Sequence, residues 1–310
     1  MRLVGYLDAA RLAHPTVPRV PVPMSAALPF PNRAPDGRQT LITPDSVRLS
    51  MLYWMPDAAP RGAVVLVHGY GEHSGRYGHV ADALTGCGVA VYAYDQRGYG
   101  RSEGPRAYVD DFDVYLDDLD YVLQSPVIAA DGPRFVMGHS MGGLVVLRHA
   151  LLRNPDVAGL ILSSPAIEIN PDLAPFLRAI AQWLGRVAPR LRTVRSPEGG
   201  ISRDPEVLAC AEADPLNYHG AVRARMGAEM LRAGDEVKER LDALTDPFLV
   251  FHGTEDAITD PAWSQRLHDR AASDDKTIHL YDGLYHETFN EPERNDVLVD
   301  LVEWVRERVE

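Results

Sequence analysis

Gly138-His139-Ser140-Met141-Gly142 lies between a short apolar run, Phe135–Met137, and a helical pattern that opens at Gly143. A Gly-x-Ser-x-Gly set between a strand and a helix reads as a nucleophile elbow. The reason is steric. The serine has to sit on a strained turn so that its oxygen projects from the sheet, and side chains at Gly138 and Gly142 would clash there. The helix that follows aims its first amides at the place where negative charge develops.

A serine hydroxyl is a weak nucleophile until a base takes its proton. In this setting the acid and the histidine come later in the chain. His252-Gly253-Thr254-Glu255-Asp256 ends the apolar run Phe248–Phe251, which puts Asp256 at the carboxyl edge of a sheet. Glu255 and Asp260 are its rivals. Tyr285-His286-Glu287 follows the run Ile278–Tyr281 by a short loop. Among 11 histidines, His286 stands out by its position after a late strand and beyond Asp256. The oxyanion needs two backbone donors. One is expected from the amide of Met141, the residue after the serine. The other is expected from the loop after the run Ala63–Val67, which reads His68-Gly69-Tyr70-Gly71-Glu72-His73-Ser74-Gly75-Arg76-Tyr77. Its glycines let the backbone come close, and Tyr70 is the expected donor, through its amide and not its phenol.

These residues need a scaffold. Val47, Leu49, Met51, Tyr53 and Met55 alternate as a strand does. Short continuous apolar runs follow at Ala63–Val67, Val89–Tyr94, Phe135–Met137, Gly159–Leu162, Phe248–Phe251 and Ile278–Tyr281. Such runs suit strands buried on both faces of a parallel sheet. Helical spacing lies between them, at Phe112–Leu123 and Leu144–Leu152, and again at Val297–Val305. Strand–helix alternation predicts a doubly wound, mostly parallel α/β sheet with helices on both faces. The rhythm breaks over residues 165–246, where an amphipathic stretch (Leu173, Phe176, Leu177, Ile180, Trp183, Leu184, Val187) predicts a helical insertion. The core is expected at 46–164 and 247–310. Residues 1–45 hold eight of the 24 prolines, including Pro15, Pro18, Pro21 and Pro23, and read as an extended leader. Met24 is an alternative start.

Composition bounds the partners. The chain of 310 residues carries 31 basic and 44 acidic side chains, a net −13, so bulk electrostatics oppose nucleic-acid binding. Two cysteines, Cys87 and Cys210, exclude a disulfide-stapled scaffold. No apolar run is long enough to span a bilayer, and Met1 to His14 has no continuous apolar core of a secretory signal. A cytoplasmic location is expected. Asp95-Gln96-Arg97-Gly98-Tyr99-Gly100-Arg101-Ser102 could suggest a phosphate cradle, but it opens no helix and lacks Gly-Lys-Ser/Thr. Asp95 and Arg97 are expected to order the loop beneath the site. Six aspartates fall between Asp110 and Asp120, with apolar residues spaced for one face of a solvated helix rather than a calcium loop. No metal and no cofactor is expected.

Taken together these segments resemble the monoacylglycerol lipase and lysophospholipase family of α/β-hydrolases. The likeness runs over about residues 46–309, through the Ala63–Val67 loop, the Asp95 turn, the elbow and Tyr285-His286-Glu287. It includes Ile201-Ser202-Arg203-Asp204 and Asp214-Pro215-Leu216 in the insertion. The resemblance implies a Ser140, Asp256 and His286 triad with Tyr70 and Met141 as oxyanion donors. It also implies a mobile cap over an acyl pocket and hydrolysis of monoglycerides, a small acyl ester substrate. Glu72 and Arg76 are then expected near the alcohol end, and Phe176, Ile180, Trp183 and Phe289 against substrate. Phe289 stands where some animal members carry a second histidine, which predicts a different reading of glycerol. The alternatives are a broad carboxylesterase or lysophospholipase, a peptidase, and a non-catalytic scaffold.

The stretch 178–203 holds Arg178, Arg186, Arg190, Arg192, Arg195 and Arg203 against Glu198, a local +5 in an acidic chain. Beside Phe176, Ile180 and Trp183, it is expected either to meet an anionic lipid surface or to pair with the acidic core.

Overall fold

A computed structural model describes residues 28–128, 131–169, 174–194 and 200–310. Eight strands form one sheet: β1 (Gly37–Ile42), β2 (Arg48–Trp54), β3 (Gly62–Val67), β4 (Val89–Tyr94), β5 (Arg134–His139), β6 (Gly159–Ser163), β7 (Phe248–Gly253) and β8 (Lys276–Tyr281). Their spatial order is β1-β2-β4-β3-β5-β6-β7-β8. β1 and β2 run antiparallel to each other at one edge, β2 meets β4 antiparallel, and β3 through β8 are mutually parallel. β3 and β4 are buried along their whole length, which is why they read as unbroken apolar runs.

Among the described residues eight α-helices accompany the sheet: α1 (Gly78–Gly86), α2 (Asp113–Leu123), α3 (Met141–Arg153), α4 (Pro175–Val187), α5 (Pro205–Ala213), α6 (Ala224–Arg240), α7 (Pro261–Arg270) and α8 (Arg294–Val309). Val80 and Leu84 of α1 pack with Val297, Leu301 and Trp304 of α8 on one face. Leu116 of α2, Leu144 and Leu147 of α3 and Leu267 of α7 pack on the other. The chain leaves β3 toward one neighbour and β5 toward the opposite one. Their carboxyl ends, Val67 and Gly138, are paired neighbours, so the connections diverge there and leave a crevice.

Two differences from the sequence expectation concern the ends of this frame. β1 lies inside the segment that its prolines assign to a leader. Proline excludes central strands, but Gly37–Ile42 contains none, and the edge position makes few demands. Residues 28–33 also pack. Leu28 and Phe30 cluster with Val207 of α5, Asn32 holds the Gly75 carbonyl and the His79 amide, and Trp54 Nε1 donates to the Arg33 carbonyl at 3.0 Å. The proline run, Met24 and the rest of residues 1–27 lie outside the described residues.

The segment between β6 and β7 carries α4, α5 and α6. α4 crosses α6 closely, because Gly185 has no side chain: a Cβ there would reach the Ala224 carbonyl at 3.0 Å. No helix of the described residues is long and apolar enough to cross a membrane.

Candidate active site

Ser140 links β5 to α3 with φ +52° and ψ −118°, a conformation costly for a residue with a side chain. The surroundings hold it there. Its amide donates to the Ser163 carbonyl at 2.9 Å, and its carbonyl accepts from Ala166 N at 3.0 Å. A Cβ on Gly138 would lie 2.7 Å from Gly143 N, and one on Gly142 would lie 2.7 Å from the Val67 carbonyl carbon. Only glycine therefore fits at either position.

The turns after β7 and β8 bring the other two residues to the same edge. His286 Nε2 lies 2.8 Å from Ser140 Oγ, and His286 Nδ1 lies 2.7 Å from Asp256 Oδ2. The three are buried. Asp256 is chosen over its rivals by direction. Glu255 is exposed, and Asp260 caps α7 by accepting from Ala262 N. Asp256 Oδ1 accepts from Ile258 N at 2.8 Å and Thr259 N at 3.1 Å, and Thr259 Oγ1 donates to Oδ2 at 2.7 Å. Burial pushes this carboxyl up, but the charges and hydrogen bonds of His286 and His252 outweigh it and hold Asp256 well below the ordinary carboxylate range. Burial pushes His286 down, but Asp256, Glu287 and Glu72 outweigh that and leave it raised.

The sequence reading assigned no role to several neighbours. His252 Nε2 shares Asp256 Oδ2 at 3.0 Å, and its Nδ1 meets Ser264 Oγ at 2.7 Å. Ser164 Oγ donates to the His286 carbonyl at 2.7 Å. The His139 ring lies 4.8 Å from the His286 ring; burial first, and the His286 charge next, push its pKa down to about 4, so it stays neutral. The only sequence signal for His139 and His252 was their place inside the quoted motifs.

Gly69 lies directly against Ser140: a Cβ there would be 3.2 Å from the Ser140 Cβ. This places the Gly69–Tyr70 peptide beside Ser140. Met141 opens α3, where a backbone amide has no acceptor within the helix. Asp95 orders this loop from below, taking Ser74 N at 2.9 Å, Ser74 Oγ at 2.6 Å and Arg101 N at 2.8 Å. Arg97 does not join it; it pairs with Asp118 of α2 at 2.7 Å and with Asp45. The other aspartates of that run also have partners: Asp113 takes Arg148, Asp117 takes Arg153, and Asp120 takes His149.

Ser140 and His286 open on a cavity of about 360 Å³. Leu177, Ile180 and Leu184 of α4 line it, with Ala228 and Leu231 of α6 and Ile258 below. A second cavity of about 280 Å³ shares Tyr70, Glu72, Ile201 and Glu287 with the first and adds Arg76, Tyr218 and His219. Three expected substrate contacts are not among the lining residues. Phe176 and Trp183 point outward and are 65 % and 59 % exposed, because a helix over a cavity has only one inner face. Phe289 is a core residue stacked edge-on against Phe251 at 5.6 Å, where a histidine would lie among apolar side chains. Ile180 and Glu72 do line the first cavity, and Arg76 only the second.

A family described as "Serine aminopeptidase, S33" matches residues 58–293. A monoacylglycerol lipase of Mycolicibacterium smegmatis is 41 % identical over 263 residues, 84 % of this chain and 93 % of its own. The crystal structure of Paleococcus ferrophilus monoacylglycerol lipase is 33 % identical, with TM-score 0.76 over 84 % of this chain and 99 % of that one. A soluble variant of Saccharomyces cerevisiae monoglyceride lipase in complex with a substrate analog is 26 % identical, with TM-score 0.81 over 91 % of this chain and 98 % of that one. The elbow, the mostly parallel sheet and these likenesses agree: the chain belongs to the serine aminopeptidase S33 family of α/β-hydrolases, together with the monoacylglycerol lipases.

Proposed function

We propose that the chain is a serine ester hydrolase that releases a fatty acid and glycerol from monoacylglycerols. The observation that carries this reading is the unbroken Ser140–His286–Asp256 hydrogen-bond chain at the mouth of an apolar cavity. His286 Nε2 takes the Ser140 proton as Oγ attacks the ester carbonyl, and Asp256 orients the imidazole and stabilises its charged form. The amides of Tyr70 and Met141 receive the oxyanion; each such donor typically contributes about 10²–10³ in rate. The imidazolium then protonates the leaving alcohol. Water then attacks the acyl carbonyl while giving its proton to His286; the bond to Ser140 Oγ breaks, Oγ takes that proton back, and the acid leaves. The acyl chain occupies the larger cavity, and the alcohol end faces the smaller one beside Glu72 and Arg76.

The family name raises a peptidase as the rival. An aminopeptidase needs an acceptor for the substrate's ammonium group. Glu72 and Glu287 line the larger cavity, but both are already bonded to Arg76. Glu212 on the second cavity is open to solvent, so what favours an ester with an acyl chain is the apolar lining of the larger cavity. The test is a hydrolysis panel of monoglycerides, p-nitrophenyl esters, lysophospholipids and an aminoacyl amide, with fluorophosphonate labelling of Ser140. The highest kcat/KM is expected on monoglycerides, and a clear preference for lysophospholipid or amide would overturn the substrate assignment.

Residues 165–246 act, in this reading, as a cap whose α4 edge meets the lipid surface. Phe176, Trp183, Val187 and Leu191 are exposed together, beside exposed Arg186, Arg190 and Arg192. Part of the local +5 turns inward, since Arg178 pairs with Glu168 and Asp235, and Arg203 pairs with Glu291 and Glu293. Arg195, Glu198 and Leu173 lie outside the described residues. Vesicles containing anionic lipid should sediment the protein, and a Phe176→Ser/Trp183→Ser double variant should bind roughly tenfold more weakly. Sedimentation that ignores both anionic lipid and salt would remove this role.

A further inference from the structure

Glu287 follows His286 directly, and no acyl-transfer step uses it. Its carboxylate is buried and takes both arms of one guanidinium: Arg76 Nη1 donates to Oε1 at 2.7 Å and Nη2 to Oε2 at 2.7 Å. Oε2 also accepts from Asn290 Nδ2 at 2.8 Å. Arg76 Nη1 donates as well to Glu72 Oε2 at 2.9 Å. Glu72 Oε1 in turn accepts from Gly69 N at 2.6 Å and from Tyr77 Oη at 2.6 Å. A continuous hydrogen-bonded chain therefore runs from the residue beside His286 to the peptide just before Tyr70. The Glu287 amide donates to the Ile201 carbonyl at 2.7 Å, which joins the segment between β6 and β7 to the same point.

Stability alone is a weak reason for this arrangement. Buried ion pairs are often replaceable by apolar side chains without loss, so the presence of this one is weak evidence of a stabilising role. Here one guanidinium serves two carboxylates, and the group keeps a net negative charge in the interior. The charged and titratable groups around His286 are Asp256 on its Nδ1 side, Glu287 and Glu72 with Arg76 between them, neutral His139, and His252 behind Asp256. Arg76 holds the Glu287 carboxyl below its ordinary range despite burial, so the charge persists at neutral pH.

We propose that Glu287 is a positioning residue for the acyl transfer: through Arg76 and Glu72 it holds the Tyr70 amide and the His286 imidazole in one register, and it keeps negative charge beside the imidazole as that ring takes the serine proton. This rests on the triad reading above. The two loops come from β3 and β8, which are not neighbours in the sheet, so backbone pairing cannot set their spacing. A side-chain link can.

Glu287→Gln keeps the size and removes the charge. Its kcat should fall roughly 10- to 100-fold with KM within about threefold, and the acid limb of the pH–rate profile should move down by roughly half a unit or more. The sign follows from the imidazole: less negative charge nearby lowers its pKa, so it stays a base to lower pH. Glu287→Asp keeps the charge and draws the carboxylate back by one methylene. Its limb should stay in place while kcat falls by roughly fivefold. A wild-type enzyme that takes no fluorophosphonate at Ser140 would refute the triad reading instead. If wild type labels, and the variants keep kcat and limb while only the melting temperature falls, Glu287 is structural and the proposal is overturned. Should the Gln variant not fold, the Asp variant decides: unchanged kcat overturns the proposal, and lowered kcat with an unmoved limb upholds it.

Discussion

Ser140→Ala should lower kcat for ester hydrolysis by about 10⁵- to 10⁶-fold and abolish fluorophosphonate labelling. The size follows from the division of labour. Without Oγ no acyl-enzyme forms, and His286 has no proton to take; what remains is binding and the two oxyanion amides. Stability should change little, by about 1 kcal/mol or less, because the lost contact is one 2.8 Å hydrogen bond to His286 and the backbone strain is unchanged. Alanine at φ +52° is as strained as serine there. Burst kinetics with a p-nitrophenyl ester and thermal melting check both halves. Near-wild-type turnover would place the nucleophile elsewhere.

Asp256→Asn should lower kcat by about 10⁴-fold while leaving substrate binding close to normal. Two physical effects combine. An amide nitrogen facing His286 Nδ1 donates where the carboxylate accepted, so the ring's proton moves to Nε2 and cannot be replaced by that of Ser140. The imidazolium also loses the charge that stabilises it. In wild type, Asp256 together with Glu287 and Glu72 raises His286, so activity should fall on its acid limb above the ordinary histidine pKa. In Asp256→Asn that limb should shift to lower pH.

The same substitution has a stability signature with a defined sign. Asp256 is depressed on folding, so its contribution is present above the unfolded carboxylate pKa and is lost as pH falls through the folded one. His286 is raised, so its contribution is full below the unfolded histidine pKa and is lost as pH rises through the folded one. Between these windows both favour the native state. Asp256→Asn should therefore lower the melting temperature at pH 5–6, and the loss should shrink below about pH 4. A pH-independent loss would mean that only packing had changed.

Much of the site was legible because its signals are local. Glycines flanking Ser140 report a backbone that must turn sharply, and the short apolar run before it reports a buried parallel strand. Chain order then limits the acid and the base to turns after late strands. Residues 37–42 and α1 were missed for the matching reason. The strand stands in a proline-rich neighbourhood, and Gly78–Gly86 begins and ends in glycine, so its helical pattern is short. α6 was also missed: the charged residues among its seventeen mask the apolar spacing of Met226, Met230 and Val237, which are buried against the core.

The sequence by itself determined the elbow at Ser140, the order of serine, acid and histidine along the chain, and the sheet that presents them, because each depends on neighbours a few residues away. Tertiary structure decided the rest. It chose Asp256 over Glu255 and Asp260 by direction, turned Phe176 and Trp183 outward while Ile180 faces the cavity, and put Phe289 in the core. It also closed Glu72, Arg76 and Glu287 into one buried group across 211 positions of chain. Those outcomes depend on which distant surface each side chain meets, and burial or pairing with a distant partner leaves no periodicity to read.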